Sequence, residues 1–181
     1  MPCFKGNQIF NHSSQISQNL YSNSETQPVR SKLMGTIPVQ ELSWRVTLDM
    51  VLLEPAVGDF YNVYHFTTGQ KVGVHGSRTP AIWIYDHRRL LIHFNTDSDV
   101  NSRYCSDELI TLNQKIRIIV EQVMVSDRPV VRIFIDQNMV HESPHNWKIP
   151  FKNVQCYLGD PWYPVAPVKV LYFNYEELKT L

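Results

Sequence analysis

The chain has 181 residues, of which 43% are hydrophobic, and its 17 basic side chains balance its 17 acidic ones. This length and apolar content suit one folded domain with a substantial core, and they exclude disorder across the whole chain. The balanced charge gives no indication of a nucleic-acid partner. No apolar run reaches the roughly 18 to 20 residues that a membrane-spanning helix needs.

The first part of the chain differs in composition from the rest. Residues 1–30 are polar and rich in Ser, Asn and Gln, and they contain the glycosylation sequon at residues 11–13. This composition predicts an extended N-terminal arm, followed by a single domain over residues 31–181.

From residue 43 onward, apolar residues recur at every second position, which is the period of a half-buried β-strand. Residues 44–50 show this alternation most clearly. Further strands are predicted at residues 61–67, 81–85, 90–94, 116–120, 131–135, 139–142, 154–158 and 168–175. No segment has a sustained helical stripe with caps at both ends, and residues 109–114 predict at most one short turn. Many short strands separated by turn residues favour an antiparallel two-sheet sandwich.

Several motifs occur in a recognisable order along the chain. They are Gly-Thr-Ile-Pro at 35–38 before Trp-Arg-Val-Thr at 44–47, Val-Tyr-His-Phe-Thr-Thr-Gly at 63–69, Gly-Ser-Arg-Thr-Pro-Ala-Ile-Trp at 76–83, and Gly-Asp-Pro-Trp-Tyr-Pro-Val-Ala at 159–166. Together they resemble the laminin-G-like, concanavalin A-like lectin/glucanase modules of extracellular invertebrate and fish proteins. The resemblance implies an all-β, antiparallel two-sheet jelly-roll sandwich.

The resemblance also implies an extracellular or secreted setting. Residues 1–5 lack the apolar stretch of a signal peptide, so either the protein is cytosolic or the chain is a mature or excised segment of a larger protein. With the resemblance, we expect the second. The same superfamily contains lectins, adhesion modules and glycosidases, so the fold alone does not select one activity.

Glucanases of this superfamily place their catalytic carboxylates at alternate positions of one strand, as in Glu-x-Asp-x-Glu. No glutamate of this chain begins such a motif, and the adjacent Glu176 and Glu177 would point to opposite faces of a strand. The sequence also lacks a Gly-x-Ser-x-Gly nucleophile elbow and a glycine-rich phosphate loop. These observations predict a module that is not an enzyme.

One acidic loop has the spacing of a calcium site. Asp97, Asp99, Asn101 and Glu108 occupy positions 1, 3, 5 and 12 of the calcium-loop pattern, whose side chains can converge on one hard cation. Ser102 stands where that pattern has the glycine of its sharp turn. The alternative is a polar loop that joins two strands, with Asp and Asn chosen for turn geometry.

Two adjacent aromatic residues are candidates for ligand contact. Trp162 and Tyr163 are bracketed by two prolines, which stiffen the segment. Sugars stack their apolar faces on such rings, so the segment could be a rigid platform for a glycan. The alternative is a structural corner in which Trp162 plugs one end of the sandwich.

Other conspicuous side chains are predicted to be structural. We expect Arg78 to hydrogen-bond loop carbonyls as a clamp, and Trp44 and Trp83 to belong to the core. A histidine on a strand beside aromatic residues, such as His65 or His93, is expected to be a packed or surface residue and not a catalytic base.

The leading hypothesis is a non-catalytic recognition or adhesion module that binds a protein or a glycan. The alternatives are a calcium-dependent lectin and a structural module of a larger assembly. The three cysteines, Cys3, Cys105 and Cys156, fit no metal-ligand spacing. Either one pair forms a disulfide and leaves one odd thiol, or all three are free. An odd Cys3, or the arm itself, could link the chain to a neighbour.

Overall fold

Alternation of apolar and polar side chains produces the strands of this protein. In the strand Trp44–Leu52, Val46, Leu48 and Met50 are buried, whereas Thr47 between them is partly exposed. The computed structural model describes residues 20–179, and these contain twelve strands and no helix. No helix in that range therefore has the length and apolarity needed to cross a membrane.

The strands follow one another closely along the chain. They are β1 (Tyr21–Ser22), β2 (Leu33–Gln40), β3 (Trp44–Leu52), β4 (Ala56–Thr67), β5 (Ala81–His87), β6 (Arg89–Phe94), β7 (Ser102–Cys105), β8 (Lys115–Val125), β9 (Arg128–Ile135), β10 (Asn138–Pro144), β11 (Phe151–Tyr157) and β12 (Val168–Glu177). They form two six-stranded sheets. The first sheet has the order β1-β12-β3-β8-β9-β10 and the second sheet the order β2-β11-β4-β5-β6-β7.

Every paired strand in both sheets is antiparallel. The inner faces of the two sheets enclose one apolar core, to which the first sheet contributes Leu48 and Phe173 and the second sheet contributes Phe66 and Ile92. The prediction of an all-β, antiparallel two-sheet sandwich is confirmed.

The two tryptophans that were predicted to be core residues lie in different places. Trp44 is buried in the core between the sheets. Trp83 is also buried, with 1% of its surface exposed, but it belongs to a separate cluster with Ala81 and Leu91 on the outer face of the second sheet. Some other part of the chain must therefore cover this outer face.

The end of the predicted N-terminal arm belongs to the sandwich. Leu20 is buried in the core, and β1 pairs with β12 at the edge of the first sheet. The backbone N–H of Val29 donates to the carbonyl of Leu158 at 3.1 Å. Residues 1–19, which include Cys3 and the sequon, lie outside the described residues.

Two of the three cysteines are described, and both are free thiols. Cys105 is exposed at the end of β7, whereas Cys156 is buried in β11. Burial raises the pKa of the Cys156 thiol well above its usual value. Of the disulfide pairings left open by the sequence, the one between Cys105 and Cys156 is therefore not formed.

Candidate functional site

The outer face of the second sheet carries a row of aromatic and imidazole rings. Along β4, β5 and β6 the apolar neighbours point into the core, so His65, Trp83 and His93 point outward. Trp83 meets both histidines edge to face, with ring centroids 5.4 Å from His65 and 5.1 Å from His93. The name outer-face cluster is used below for His65, Arg78, Trp83, His93, Asp160 and Tyr163.

Arg78 connects the members of this cluster. Its guanidinium lies 4.9 Å from the ring centroid of Trp83, and the residue is 8% exposed. Nη1 donates to Nδ1 of His93 at 3.1 Å and to Oδ1 of Asn101 at 3.2 Å, and Nη2 donates to the hydroxyl of Tyr163 at 3.0 Å. The prediction that Arg78 clamps loop carbonyls is wrong, because all three acceptors are side chains.

His93 is held in its neutral form. Burial, together with the positive charges of Arg78 and Arg103, lowers the pKa of His93 to about 3. Because Nδ1 accepts a hydrogen bond from Arg78, the single ring proton is assigned to Nε2. The imidazole therefore acts as an acceptor that orients the guanidinium.

The low pKa of His93 predicts acid sensitivity. In the unfolded chain a histidine takes up a proton near pH 6.5, whereas folded His93 does so only near pH 3, so the unfolded state binds more protons between these values. The stabilisation that neutral His93 gives the folded state is therefore complete above about pH 6.5. As the pH falls from there towards 3, the free energy of unfolding decreases by up to about 1.4 kcal/mol per pH unit.

Chemical unfolding at a series of pH values tests this prediction. We expect His93→Gln to reduce the slope of unfolding free energy against pH, and we expect the exposed control His87→Gln to keep it. Burial also lowers the pKa values of His141 and His145, so the informative quantity is the difference between variants. Equal slopes for the His93 variant and the parent would show that His93 is not held neutral.

A buried pair fixes the segment that bears the two candidate aromatic residues. His65 Nδ1 lies 2.7 Å from Oδ2 of Asp160, and its Nε2 donates to the carbonyl of Ser77 at 2.6 Å. Both side chains of the pair are fully buried. The other oxygen of Asp160 accepts the backbone N–H groups of Trp162 and Tyr163. Asp160 therefore joins strand β4 to the turn that follows β11.

Two glycines allow the covering loops to approach closely. Gly159 has φ +86°, and a Cβ at this position would lie 2.5 Å from the carbonyl oxygen of Val29. Gly76 has φ +83°, and a Cβ there would lie 2.6 Å from Cγ2 of Thr68. These glycines begin the motifs that contain Arg78 and Asp160. Their positive φ and the lack of room for a Cβ explain why both positions are glycine.

The structure places Trp162 on the outer face of the second sheet and not at an end of the sandwich. Its ring packs edge-on against His65, at 5.4 Å between centroids, and against Tyr157 on β11, at 6.4 Å. The ring is half-buried, so part of it faces solvent. Trp162 thus combines a packing role with an accessible surface.

Tyr163 forms part of a larger aromatic surface. Its ring lies 6.2 Å from that of Phe60, which in turn lies 5.2 Å from Tyr85. Phe60 is 39% exposed, and the two tyrosines are half-buried. We call Phe60, Tyr85 and Tyr163 the aromatic platform. Lys71 places its Nζ 4.7 Å from the centroid of the Tyr163 ring.

Sequence reasoning did not identify Phe60 or Tyr85 as site residues. For Tyr85 a signal was available, because it has the same parity along β5 as Trp83 and therefore shares its face. Phe60 gives no such signal, because β4 changes register twice between Ala56 and Tyr64.

The calcium site at Asp97, Asp99, Asn101 and Glu108 stays a prediction, and the structure shows what these side chains contact instead of a metal. The carboxylate of Asp97 accepts the backbone N–H of Asn146 at 2.8 Å, and that of Asp99 accepts the N–H of Asn101 at 2.8 Å. Glu108 lies beyond β7, and an extended strand advances by about 3.3 Å per residue, so it is carried away from the other three. Among residues 20–179, no group of three or more His, Cys, Asp or Glu side chains is arranged to hold a metal ion.

Glu108 lies instead at a groove between the two sheets. The groove has a volume of about 520 Å³, with Leu90, Ile116 and Ile135 among its apolar lining residues and Asp107 among its polar ones. None of the buried polar atoms without a hydrogen-bond partner in residues 20–179 belongs to this lining. The polar groups of the groove are therefore either solvent-exposed or already hydrogen-bonded, and none is a buried donor without a partner.

The outer-face cluster differs from the groove in this respect. Nε of Arg78 and Nε1 of Trp83 are buried, and neither has a hydrogen-bond partner within the described part of the chain. The hydroxyl of the adjacent Ser77 is in the same condition. A buried donor without an acceptor costs about 1–3 kcal/mol, so these atoms mark where a polar ligand or water would be stabilised.

No family model matches the sequence, and no curated protein sequence matches it. Among solved structures, the native heptameric SAP-like pentraxin from Limulus polyphemus is similar with a TM-score of 0.56 and 10% identity, over 88% of this chain and 76% of that one. The Ruminococcus gnavus IT-sialidase CBM40 bound to alpha2,3 sialyllactose is similar with a TM-score of 0.52 and 8% identity, over 87% and 95% of the two chains.

A Trypanosoma rangeli sialidase is similar with a TM-score of 0.56 and 12% identity over 87% of this chain, which spans only 26% of the sialidase. At such identities the likenesses concern the fold alone. The chain therefore has a jelly-roll β-sandwich fold, whereas the concanavalin A-like and laminin-G-like assignments stay predictions.

Proposed function

We propose that this chain is a non-catalytic recognition module that binds a glycan on the outer face of its second sheet. The observation that carries the proposal is the aromatic platform, which lies beside buried hydrogen-bond donors of Arg78 and Trp83. Sugar rings stack their apolar faces on aromatic side chains, while their hydroxyl groups need a few fixed polar partners. The outer face supplies both.

Fold-level analogy gives further support. The similar structure of the Ruminococcus gnavus CBM40 has sialyllactose bound. With so little identity the analogy extends to the fold and to the use of such a fold for glycan binding, not to individual residues. An extracellular setting is part of the proposal, since glycan recognition commonly takes place there.

The proposal of a non-catalytic role rests on the carboxylates of the site. Glycoside hydrolysis by the usual mechanisms needs two carboxyl groups on either side of the scissile bond. The outer-face cluster contains one, that of Asp160, which is fully buried and already accepts hydrogen bonds from the Trp162 and Tyr163 amides. Its position suits a structural role.

A glycan array with the purified full chain, in calcium and in chelator, tests the proposal. The variant Phe60→Ala is expected to weaken binding of a positive glycan roughly tenfold, because it removes one face of the platform without removing a hydrogen bond. The matched control is Tyr21→Ala, an exposed aromatic residue on the first sheet, which should leave affinity unchanged.

The outcomes separate the competing functions. Binding that is indifferent to chelator and weakened by Phe60→Ala supports the platform. Binding abolished by chelator would favour the calcium-dependent lectin hypothesis. An array without any positive glycan would contradict the proposal, and it would favour a module that contacts proteins or a larger assembly.

A further inference from the structure

We infer that the glycan recognised by the outer face is anionic, and that its carboxylate or sulfate group is bound by Arg78 with support from Lys71 and Arg103. This inference rests on the proposed function and narrows it to one class of ligand. It rests on a separate observation from the aromatic platform, namely that the buried cation of the cluster has no carboxylate partner.

Arg78 is a buried cation without a carboxylate partner. Arginine is almost never fully buried unless it is paired with an anion. Within residues 20–179 no carboxylate lies within 4.0 Å of its guanidinium, since the ion pairs there involve other side chains. Asp160 is near enough to act on Arg78 electrostatically, but its oxygens are engaged by His65 and by two backbone amides. The three groups that accept hydrogen bonds from Arg78 are all neutral.

The guanidinium also retains unused donors. It carries five N–H groups, and three of them donate to His93, Asn101 and Tyr163. The Nε–H has no partner among the described residues, and one N–H of Nη2 remains as well. Parallel N–H groups of this kind form the bidentate arrangement that carboxylate and sulfate oxygens prefer.

Two exposed cationic side chains lie around this guanidinium, in addition to the buried carboxylate of Asp160. Arg103 pairs with His93 across the β6–β7 register and is exposed. Lys71 extends over the ring of Tyr163. The charges that act on His93 are those of Arg78, Arg103 and His65, all of which lower its pKa, and no carboxylate is among them. A ligand on the aromatic platform would therefore meet a positive field, which attracts an anion and disfavours a cation.

The neutral imidazole of His93 completes the arrangement. By accepting from Nη1, it fixes the orientation of the guanidinium and adds no positive charge of its own. The positive charge available to a ligand is therefore carried by Arg78, Lys71 and Arg103. Arg78 is buried, whereas Lys71 and Arg103 are exposed.

Isothermal titration of the full chain with three related probes tests the inference: lactose, sialyllactose with its carboxylate, and lactose sulfate. We expect at least one acidic probe to bind about tenfold more tightly than lactose, and we expect this preference to shrink as salt is raised. The comparison of the two acidic probes distinguishes a carboxylate from a sulfate as the group recognised.

Four variants locate the preference. Arg103→Gln and Lys71→Gln, both at exposed positions, should each reduce it about two- to fivefold, whereas Lys179→Gln, exposed and outside the cluster, should not change it. Arg78→Lys keeps a positive charge but loses the planar donor group, and it should remove most of the preference. Because this variant changes a buried residue, the two exposed variants keep the test valid if it does not fold.

Three results would overturn the inference in different ways. Equal affinity for lactose and both acidic probes would show that the ligand is a neutral glycan, and the proposed function would stand. If no glycan on the array or in titration binds at all, the proposed function itself fails and the anionic ligand fails with it. A preference for acidic probes that survives in both exposed variants would place the anion away from this face.

Discussion

The variant Asp160→Ala is expected to unfold with a free energy about 3–5 kcal/mol lower than that of the parent. The reason is that the substitution leaves His65 buried without its acidic partner and removes the acceptor of the Trp162 and Tyr163 amides. The His65 and Asp160 side chains are fully buried, so solvation offsets little of the cost of leaving His65 without its partner.

Urea-induced unfolding of three variants measures this effect. Asp160→Asn should recover part of the loss, because its side-chain oxygen can still accept the two amides although the charge is gone. The control Glu25→Ala removes a strongly exposed carboxylate whose partner is Lys169, and its midpoint should match that of the parent. An unchanged midpoint for Asp160→Ala would mean that the buried pair does not hold the segment in place.

The strands could be predicted from the sequence because their period of two is a local property. Residues 44–50 alternate along β3, and the neighbouring strands show similar alternation. The position of Trp83 could not be predicted in this way, because β5 is buried on both faces at residues 81–84. An alternating pattern separates two faces only when one of them is exposed, and here loops cover the second face.

The candidate site was only partly predictable, since its contacts join distant parts of the chain. Trp162 and Tyr163 were identified from their rigid, aromatic segment, and the structure places both on an accessible face. The contact of Arg78 with Tyr163 spans 85 residues, and that of His65 with Asp160 spans 95. No local pattern contains such pairings, so the network is visible only in the fold.

The calcium site stays a prediction, because the spacing of ligand residues alone does not show that their side chains converge. Ligand spacing has meaning only if the residues between the ligands form a loop. Here β7 occupies residues 102–105, and it separates Glu108 from Asp97 and Asp99.

Deletion of residues 1–30 is expected to lower the free energy of unfolding by about 3–5 kcal/mol, although the composition of this segment suggests a dispensable arm. The deletion removes Leu20 from the core and β1 from the edge of the first sheet. It also removes Arg30, whose Nε and Nη2 donate to the carbonyl of Pro161 at 3.2 and 3.1 Å.

The same contacts give the deletion a second consequence, because they support the segment that carries the platform. Val29 lies against Gly159 so closely that no side chain fits there, and the turn with Trp162 and Tyr163 follows directly. Hydrogen exchange at these two amides should therefore become faster in the 1–30 deletion, and glycan affinity should fall. A shorter deletion of residues 1–19 keeps every contact described above and should preserve both. Equal stability of the two truncated chains would show that residues 20–30 are not part of the folded unit, and the link between this segment and the binding face would then be lost.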